Sequence, residues 1–240
     1  MLETKVKIEY SKAVSSVGLP VIVAAAGSSL RMGGINKQFT ELVGIPVLIR
    51  TLMAFERSDN ISRIIVSAKK DDVAEIELLA KKYMITKLTD IVVGGASRAE
   101  SIKNALEAVT EEFLLIHDGA RPLVSETVIE NVCKGLEKNN AVTCAVPLKD
   151  TVKVINSKNT VVETPDRASL VAVQTPQGVN VSLYKKALEK ETDISKFTDD
   201  MSVMEKANET VKIVEGDYKN IKITTPEDLI VAKAYLMKEV

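Results

Sequence analysis

Five apolar runs in this chain barely alternate between apolar and polar residues: Val21–Ala26, Ile61–Ser67, Ile91–Val93, Phe113–Ile116 and Ala141–Pro147. A strand with one wet face alternates with period two, so runs without alternation predict strands covered on both faces. Helical patterns lie between them. Pro46–Arg57 opens with a proline suited to a first helical position and sets Leu48, Leu52 and Phe55 on one side. Asp71–Tyr83 repeats Val73, Ile76, Leu79 and Ala80, and Ser101–Val109 gathers Ile102, Ala105, Leu106 and Val109 on one stripe. Strand–helix–strand alternation restricts the chain to an α/β fold, a Rossmann-like, mainly parallel twisted sheet.

The rhythm changes after Pro147. Thr151–Ile155, Thr160–Glu163 and Ser169–Val173 are short, alternating and β-branched, and Asn156–Asn159 reads as a hairpin turn. A hairpin inserted in such a domain projects as a β-arm over about residues 150–173. Its apolar faces need a partner surface, which predicts a dimer. Helical patterns return at Leu183–Glu189 and Asp199–Ala207. A strand pair, Thr210–Val214 and Asn220–Ile223, precedes a last helix from Pro226. One domain over residues 1–240 is expected, with residues 1–18 as an N-terminal extension.

Composition removes several function classes. With 32 basic and 33 acidic residues the net charge is −1, so no global field recruits nucleic acid or an anionic membrane. No apolar run approaches the roughly 20 residues of a membrane span. The polar, lysine-containing start does not read as a secretory signal. Cys133 and Cys144 fall in apolar patterns and read as buried free thiols, as expected of a cytoplasmic protein.

The loop after the first strand carries the chemistry. Ala24-Ala25-Ala26-Gly27-Ser28-Ser29 is made of tiny residues, followed by the cations Arg31 and Lys37 without a carboxylate. Small side chains let backbone N–H groups approach a polyphosphate, and the cations neutralise it. Neither Gly-x-x-x-x-Gly-Lys-Ser/Thr nor Gly-x-Gly-x-x-Gly occurs there, which disfavours a P-loop enzyme and a dinucleotide-binding oxidoreductase. Gly94-Gly95-Ala96-Ser97-Arg98-Ala99-Glu100-Ser101 ends another strand at a helix N-terminus, where a base or ribose can lie on the backbone; a serine-capped turn explains it equally. In His117-Asp118-Gly119-Ala120-Arg121-Pro122, Asp118 can hold a divalent metal and Arg121 can reach phosphate or a hydroxyl. The sole histidine, His117, reads as a hydrogen-bonded core residue rather than a base. Lys222, between Ile221 and Ile223, reads most simply as a solvent-facing strand residue, and Asp199-Asp200 as a helix cap.

In their order, these segments resemble the 2-C-methyl-D-erythritol 4-phosphate cytidylyltransferase family. The likeness runs through Asp150-Thr151-Val152-Lys153, Asp166-Arg167, Gln174-Thr175-Pro176-Gln177, Thr198-Asp199-Asp200 and Asn220 to Leu229, and covers about residues 19–237. It implies a magnesium-dependent homodimer, clasped through its arms, that couples CTP to a sugar-alcohol phosphate. By resemblance, Ala25, Ala26 and Gly27 lie along the triphosphate, and Arg31 and Lys37 stabilise the transition state, with Lys222 beside them. Gly95 and Ser101 match positions that recognise cytosine and ribose. Asp118 and Gly119 match the segment beside ribose and metal. Arg121, Thr151, Thr175 and Thr198 match positions lining the substrates, and Arg167 an arm residue that serves the neighbouring subunit.

The chain departs from the family pattern in places. Ser28-Ser29 replace a frequent second glycine. Asn36 replaces a proline, which predicts a more mobile segment before CTP binds. Gly119 replaces a frequent alanine and Val171 a frequent tryptophan. None of these changes removes a charge. Two rivals remain: a ribitol 5-phosphate cytidylyltransferase, and a non-catalytic nucleotide-binding module.

Overall fold

The computed structural model describes residues 18–27 and 36–237. A seven-stranded sheet forms its centre. Its strands are β1 (Leu19–Ala24), β4 (Ile61–Ala68), β5 (Leu88–Val93), β6 (Phe113–Asp118), β7 (Ala141–Pro147), β10 (Val171–Asn180) and β11 (Val211–Glu215). Their order is β11-β7-β10-β6-β1-β4-β5. Neighbours pair in parallel except at β10, which runs antiparallel to both β6 and β7. Two small ribbons complete the strands: β2 (Glu41–Leu42) with β3 (Ile45–Pro46), and β8 (Val154–Ile155) with β9 (Val161–Glu163).

The lack of alternation in the strands has a direct cause. Successive residues enter opposite cores, and both cores are dry. Val21, Val23, Ile64, Val66 and Leu115 join one cluster, while Ile22, Ile65, Leu114 and Ile116 join the other. Helix α1 (Val47–Arg57), α2 (Val73–Lys82) and α4 (Glu126–Leu136) cover the first face through residues such as Leu52, Phe55, Ile76, Ile129 and Val132. Helix α3 (Arg98–Ala105), α5 (Val181–Glu189) and α6 (Asp200–Lys206) cover the second through Ile102, Tyr184 and Met204. Each large apolar side chain so buried contributes about 1.5–3 kcal/mol. The last helix, α7 (Pro226–Met237), places Ala232 in a small third cluster with Leu42, Val47 and Ile223. Cys133 and Cys144 are free and buried, and burial pushes both thiols up to about 12.

Three expectations need correction. Val171–Val173 is not an arm strand; it opens β10 and pairs with Ala145–Pro147 of the central sheet. The arm hairpin itself is short, Val154 to Glu163. Asn220–Ile223 forms no strand, because the segment is pinned by side chains instead of a ladder. The expectation for residues 1–18 falls outside the described residues, apart from Gly18.

Candidate active site

The carboxyl ends of β6, β1, β4 and β5 follow one another along one edge of the sheet, because these strands run parallel. Ala24 at the end of β1 stands in register with Asp118 at the end of β6. A cavity of about 380 Å³ opens beyond them. Ala26, Gly27, Lys37, Gly95, Ser101, Asp118 and Lys222 line it, together with Arg98 and Lys69. A second cavity, about 410 Å³, lies across Asp118 and is lined by Arg121, Thr175, Thr198 and Val171. Arg98, Asp118 and Lys222 border both. A larger cavity of about 640 Å³ lies between α2 and β5, but its lining sets one cation, Lys81, beside Glu77 and Asp90 and offers an anion no surplus charge.

Asp118 is the centre of charge. Its Oδ1 accepts from Arg98 Nε at 3.2 Å, and its Oδ2 faces Lys222 Nζ at 2.9 Å and Arg121 Nε at 3.5 Å. Burial alone would raise its pKa, but Arg98, Lys222 and Arg121 outweigh burial and hold the carboxyl well below the usual carboxylate range. Lys222 therefore does not point simply to solvent. Its side chain is 38% exposed, and its charge is turned onto Asp118.

The loop that carries Lys222 is fastened residue by residue. Arg121 Nη1 donates to the Asn220 carbonyl at 2.7 Å, and Ile223 N–H to the Ala120 carbonyl at 2.8 Å. Asn220 Nδ2 donates to the Thr175 carbonyl at 2.8 Å. Gln174 Nε2 donates to the Asp217 carbonyl at 2.8 Å, and its Oε1 accepts from Asp217 N–H at 3.2 Å. A loop of this length without a strand partner keeps one position only because its polar groups are satisfied by side chains.

His117 is fully buried against Phe55, with ring centroids 4.9 Å apart at 72°. Its Nε2 lies 3.2 Å from the Arg121 carbonyl, which can only accept, so Nε2 carries the proton. Nδ1 then accepts from Thr175 Oγ1 at 3.0 Å, and that hydroxyl accepts from Asp118 N–H at 3.1 Å. Burial, against the pull of the Arg121 carbonyl, lowers His117 to about 3. The imidazole is a neutral brace, in line with its reading as a core residue. Thr175 lines the second cavity, yet its hydroxyl is engaged on both sides by the brace.

The glycine pair after β5 is shaped by packing. A Cβ on Gly94 would stand 2.5 Å from Ala26 Cβ, and one on Gly95 would stand 2.4 Å from Glu100 Cβ. The missing side chain of Gly94 lets the β5 loop press on the β1 loop, and that of Gly95 lets it press on α3. Ser97 caps α3 by accepting from Glu100 N–H at 3.1 Å, as the capped-turn reading predicts. Ser101 Oγ donates to the Ser97 carbonyl at 2.8 Å and accepts from Gly95 N–H at 3.1 Å, which leaves one acceptor position toward the cavity.

Other expected residues fall as follows. Arg31, with Ser28 and Ser29, lies outside the described residues. Ala25 and Gly119 stand behind the cavity wall: Ala25 N–H donates to the Ser67 carbonyl at 2.7 Å, and Gly119 N–H to the Ala24 carbonyl at 2.9 Å. Thr151 and Arg167 lie on the arm and border neither cavity. Arg167 Nη1 donates to the Lys149 carbonyl at 2.7 Å. Asn36 Nδ2 donates to the Asp72 carboxylate at 3.1 and 3.2 Å, and its Oδ1 accepts from Gln38 N–H at 3.2 Å. That double tie fixes the chain at Lys37.

Sequence reasoning left several residues without a role. Arg98 and Asp200 were visible only as members of motifs, and Gln174, Gln177 and Asn220 as ordinary polar residues. A buried amide or carboxylate within an apolar run is the signal that marks them.

Comparison with known proteins identifies the family. The model of the family described as 2-C-methyl-D-erythritol 4-phosphate cytidylyltransferase matches residues 19–238. A protein of that name from Bacillus anthracis is 44% identical over 220 residues, covering 90% of this chain and 96% of its own. One from Halalkalibacterium halodurans is 43% identical over 222 residues, covering 91% and 97%. The crystal structure of 4-diphosphocytidyl-2C-methyl-D-erythritol synthase from Anaerococcus prevotii superposes with a TM-score of 0.80 at 37% identity, covering 92% of this chain and 99% of that one. The bifunctional IspDF of Campylobacter jejuni gives 0.74 at 30% identity; 89% of this chain matches 54% of that one. With the cavities, their shared carboxylate and these matches together, the chain belongs to the 2-C-methyl-D-erythritol 4-phosphate cytidylyltransferase family.

Proposed function

We infer that this chain is a nucleotidyltransferase that joins CTP to 2-C-methyl-D-erythritol 4-phosphate, giving 4-diphosphocytidyl-2-C-methyl-D-erythritol and pyrophosphate for isoprenoid precursor synthesis. The observation that carries the reading is a pair of cavities meeting at Asp118, with Arg98 and Lys222 on the border of both. One side suits a triphosphate and the other a second phosphorylated molecule. A phosphate oxygen of the sugar alcohol attacks the α-phosphorus of CTP. The bond from that phosphorus to the bridging oxygen breaks, and pyrophosphate leaves with the electron pair. The attacking phosphate is already anionic, so no side chain has to remove a proton, and the neutral His117 fits that demand. The work left to the protein is positioning and charge neutralisation. Lys37, Arg31 and Lys222 take the second task. Ala26 and Gly27 line the triphosphate with Ala25 behind them, Gly95 and Ser101 line the nucleoside with Gly119 behind them, and Arg121, Thr175 and Thr198 line the acceptor.

Magnesium fits the donors present. Asp118 has about four acceptor positions and three cations occupy three of them, which leaves one for a metal. No group of three His, Cys, Asp or Glu able to hold a metal occurs among the described residues. A single carboxylate supplemented by phosphate oxygens is a usual magnesium arrangement. When bound, the ion polarises the phosphates.

The homodimer reading rests on the arm, where Val154, Ile155, Val161 and Val162 are exposed. Arg167 then serves the partner's site, and Thr151 the substrates. Two buried free thiols support the cytoplasm as location, and no described helix is long and apolar enough to cross a membrane. Pyrophosphate release with CTP and magnesium, comparing methylerythritol phosphate with ribitol phosphate, tests the whole. Release with methylerythritol phosphate is expected; release with ribitol phosphate alone, or with neither, overturns it.

A further inference from the structure

We propose that Asp200 and Tyr184 are positioning residues, which hold the Arg98 guanidinium on Asp118 and so fix the point where the two cavities meet. The effect on turnover rests on the cytidylyl-transfer reading; the geometry does not.

Arg98 is shared between two carboxylates. Its Nε donates to Asp118 Oδ1 at 3.2 Å and its Nη2 to Asp200 Oδ2 at 2.8 Å. A guanidinium gripped from two directions has one orientation, whereas one gripped by Asp118 alone pivots about that contact. Asp200 borders neither of the two cavities. Its side chain is 1% exposed, at the first position of α6, and its other oxygen accepts from Tyr184 Oη at 2.7 Å. Tyr184 is fully buried in α5. Burying a carboxylate is costly unless it is paired and hydrogen-bonded. Here the pairing partner borders both cavities.

The anchorage goes deeper still. Asp200 N–H donates to Gln177 Oε1 at 2.9 Å, and Gln177 Nε2 donates to Asp199 Oδ2 at 2.8 Å and to Thr143 Oγ1 at 3.2 Å. The first turn of α6 is thereby clamped onto β10. Among the described residues, the Arg98 guanidinium is the only cation paired with this buried carboxylate. A core serving stability alone is as well or better served by an apolar pair of the same volume.

The test combines turnover with a direct readout of Arg98. In the intact protein, the Arg98 Nε–H is expected to exchange slowly with solvent by ¹⁵N NMR, and to exchange at least tenfold faster in Asp200→Asn and in the milder Tyr184→Phe. Unchanged exchange in both overturns the proposal whatever the enzyme's activity. At saturating CTP, Asp200→Asn is expected to lower kcat about 100-fold, the size of effect a misplacement of about 1 Å produces, with far less change in KM for CTP. In an Arg98→Met background the same substitution should add almost nothing to the loss, since the residues act as one unit. Additive losses, or a loss that tracks only the fraction of folded protein by circular dichroism, overturn it. If Asp200→Asn does not fold, Tyr184→Phe, which deletes one hydroxyl, carries both readouts. A wild-type chain that releases no pyrophosphate from either substrate defeats the functional reading instead, and the exchange measurement still decides the proposal.

Discussion

On the side of Asp118 proposed for the nucleotide the site is made of strand ends and tight loops. On the side proposed for the acceptor it is made of side chains reaching across the fold. The first wall follows chain order: β1 into Ala25–Gly27, β5 into Gly94-Gly95 and α3, β6 into Asp118. The second wall is assembled by Gln174, Gln177, Asn220 and Arg121, whose bonds join residues 22 to 99 positions apart. Backbone geometry sets the first wall, and satisfaction of buried polar groups sets the second. The difference predicts that single polar substitutions disturb the acceptor side selectively, while the nucleotide side responds mainly to loss of charge or to added bulk.

The largest effect is expected from the cations. Lys37→Ala and Lys222→Ala should keep the fold and each lose roughly 100-fold to 1000-fold in kcat, as for removal of one well-placed transition-state donor. Near-normal turnover in both would remove charge neutralisation as the task of the site, because Lys37 lines the first cavity and Lys222 borders both. Next comes the arm. Arg167→Ala should raise KM for the sugar phosphate about tenfold, the worth of one charge-assisted hydrogen bond, with little change for CTP. Mixed dimers of an Arg167 variant and a Lys222 variant should regain one working site; absence of recovery would assign Arg167 to its own subunit.

A third, smaller effect concerns His117. Its ordinary value is 6.5 and burial lowers it to about 3 in the folded chain. Between those values the unfolded chain binds the extra proton, so stability falls as pH drops from 6.5 towards 3. Urea midpoints should show that slope, and His117→Gln should flatten it by about one proton; an equal slope in the variant would remove His117 as its source. The smallest effect is expected at Asn36. Asn36→Ala breaks its tie to Asp72 and should cost about 1 kcal/mol of stability, with a modest rise in KM for CTP. An unchanged midpoint would mean that the turn at Lys37 is held by other contacts.

Much of this fold is legible in the sequence, and the reason is physical. Strands buried on both faces write continuous apolar runs, and the two cores fed by Val21 and Ile22, or Ile64 and Ile65, account for the runs observed. Loops rich in glycine and small residues mark strand ends equally well. What eluded the sequence is decided by distant partners. Val171–Val173 alternates like an arm strand, yet it continues into buried Gln174–Gly178 and belongs to the sheet. Ile221-Lys222-Ile223 alternates like a strand, yet Asn220 and Gln174 hold it as a loop with the same facing. The partnership of Arg98 with Asp200 spans 102 positions, and no local pattern encodes it.

The end of β6 has one more consequence. Asp118 stays ionised and His117 stays neutral throughout the range in which cells live. Neither gains nor loses a proton as the medium drifts around neutrality, so this part of the enzyme acts as a template of constant charge. The acid limb of the rate profile is then expected to follow the incoming ligand, whose phosphate completes its second ionisation near pH 6.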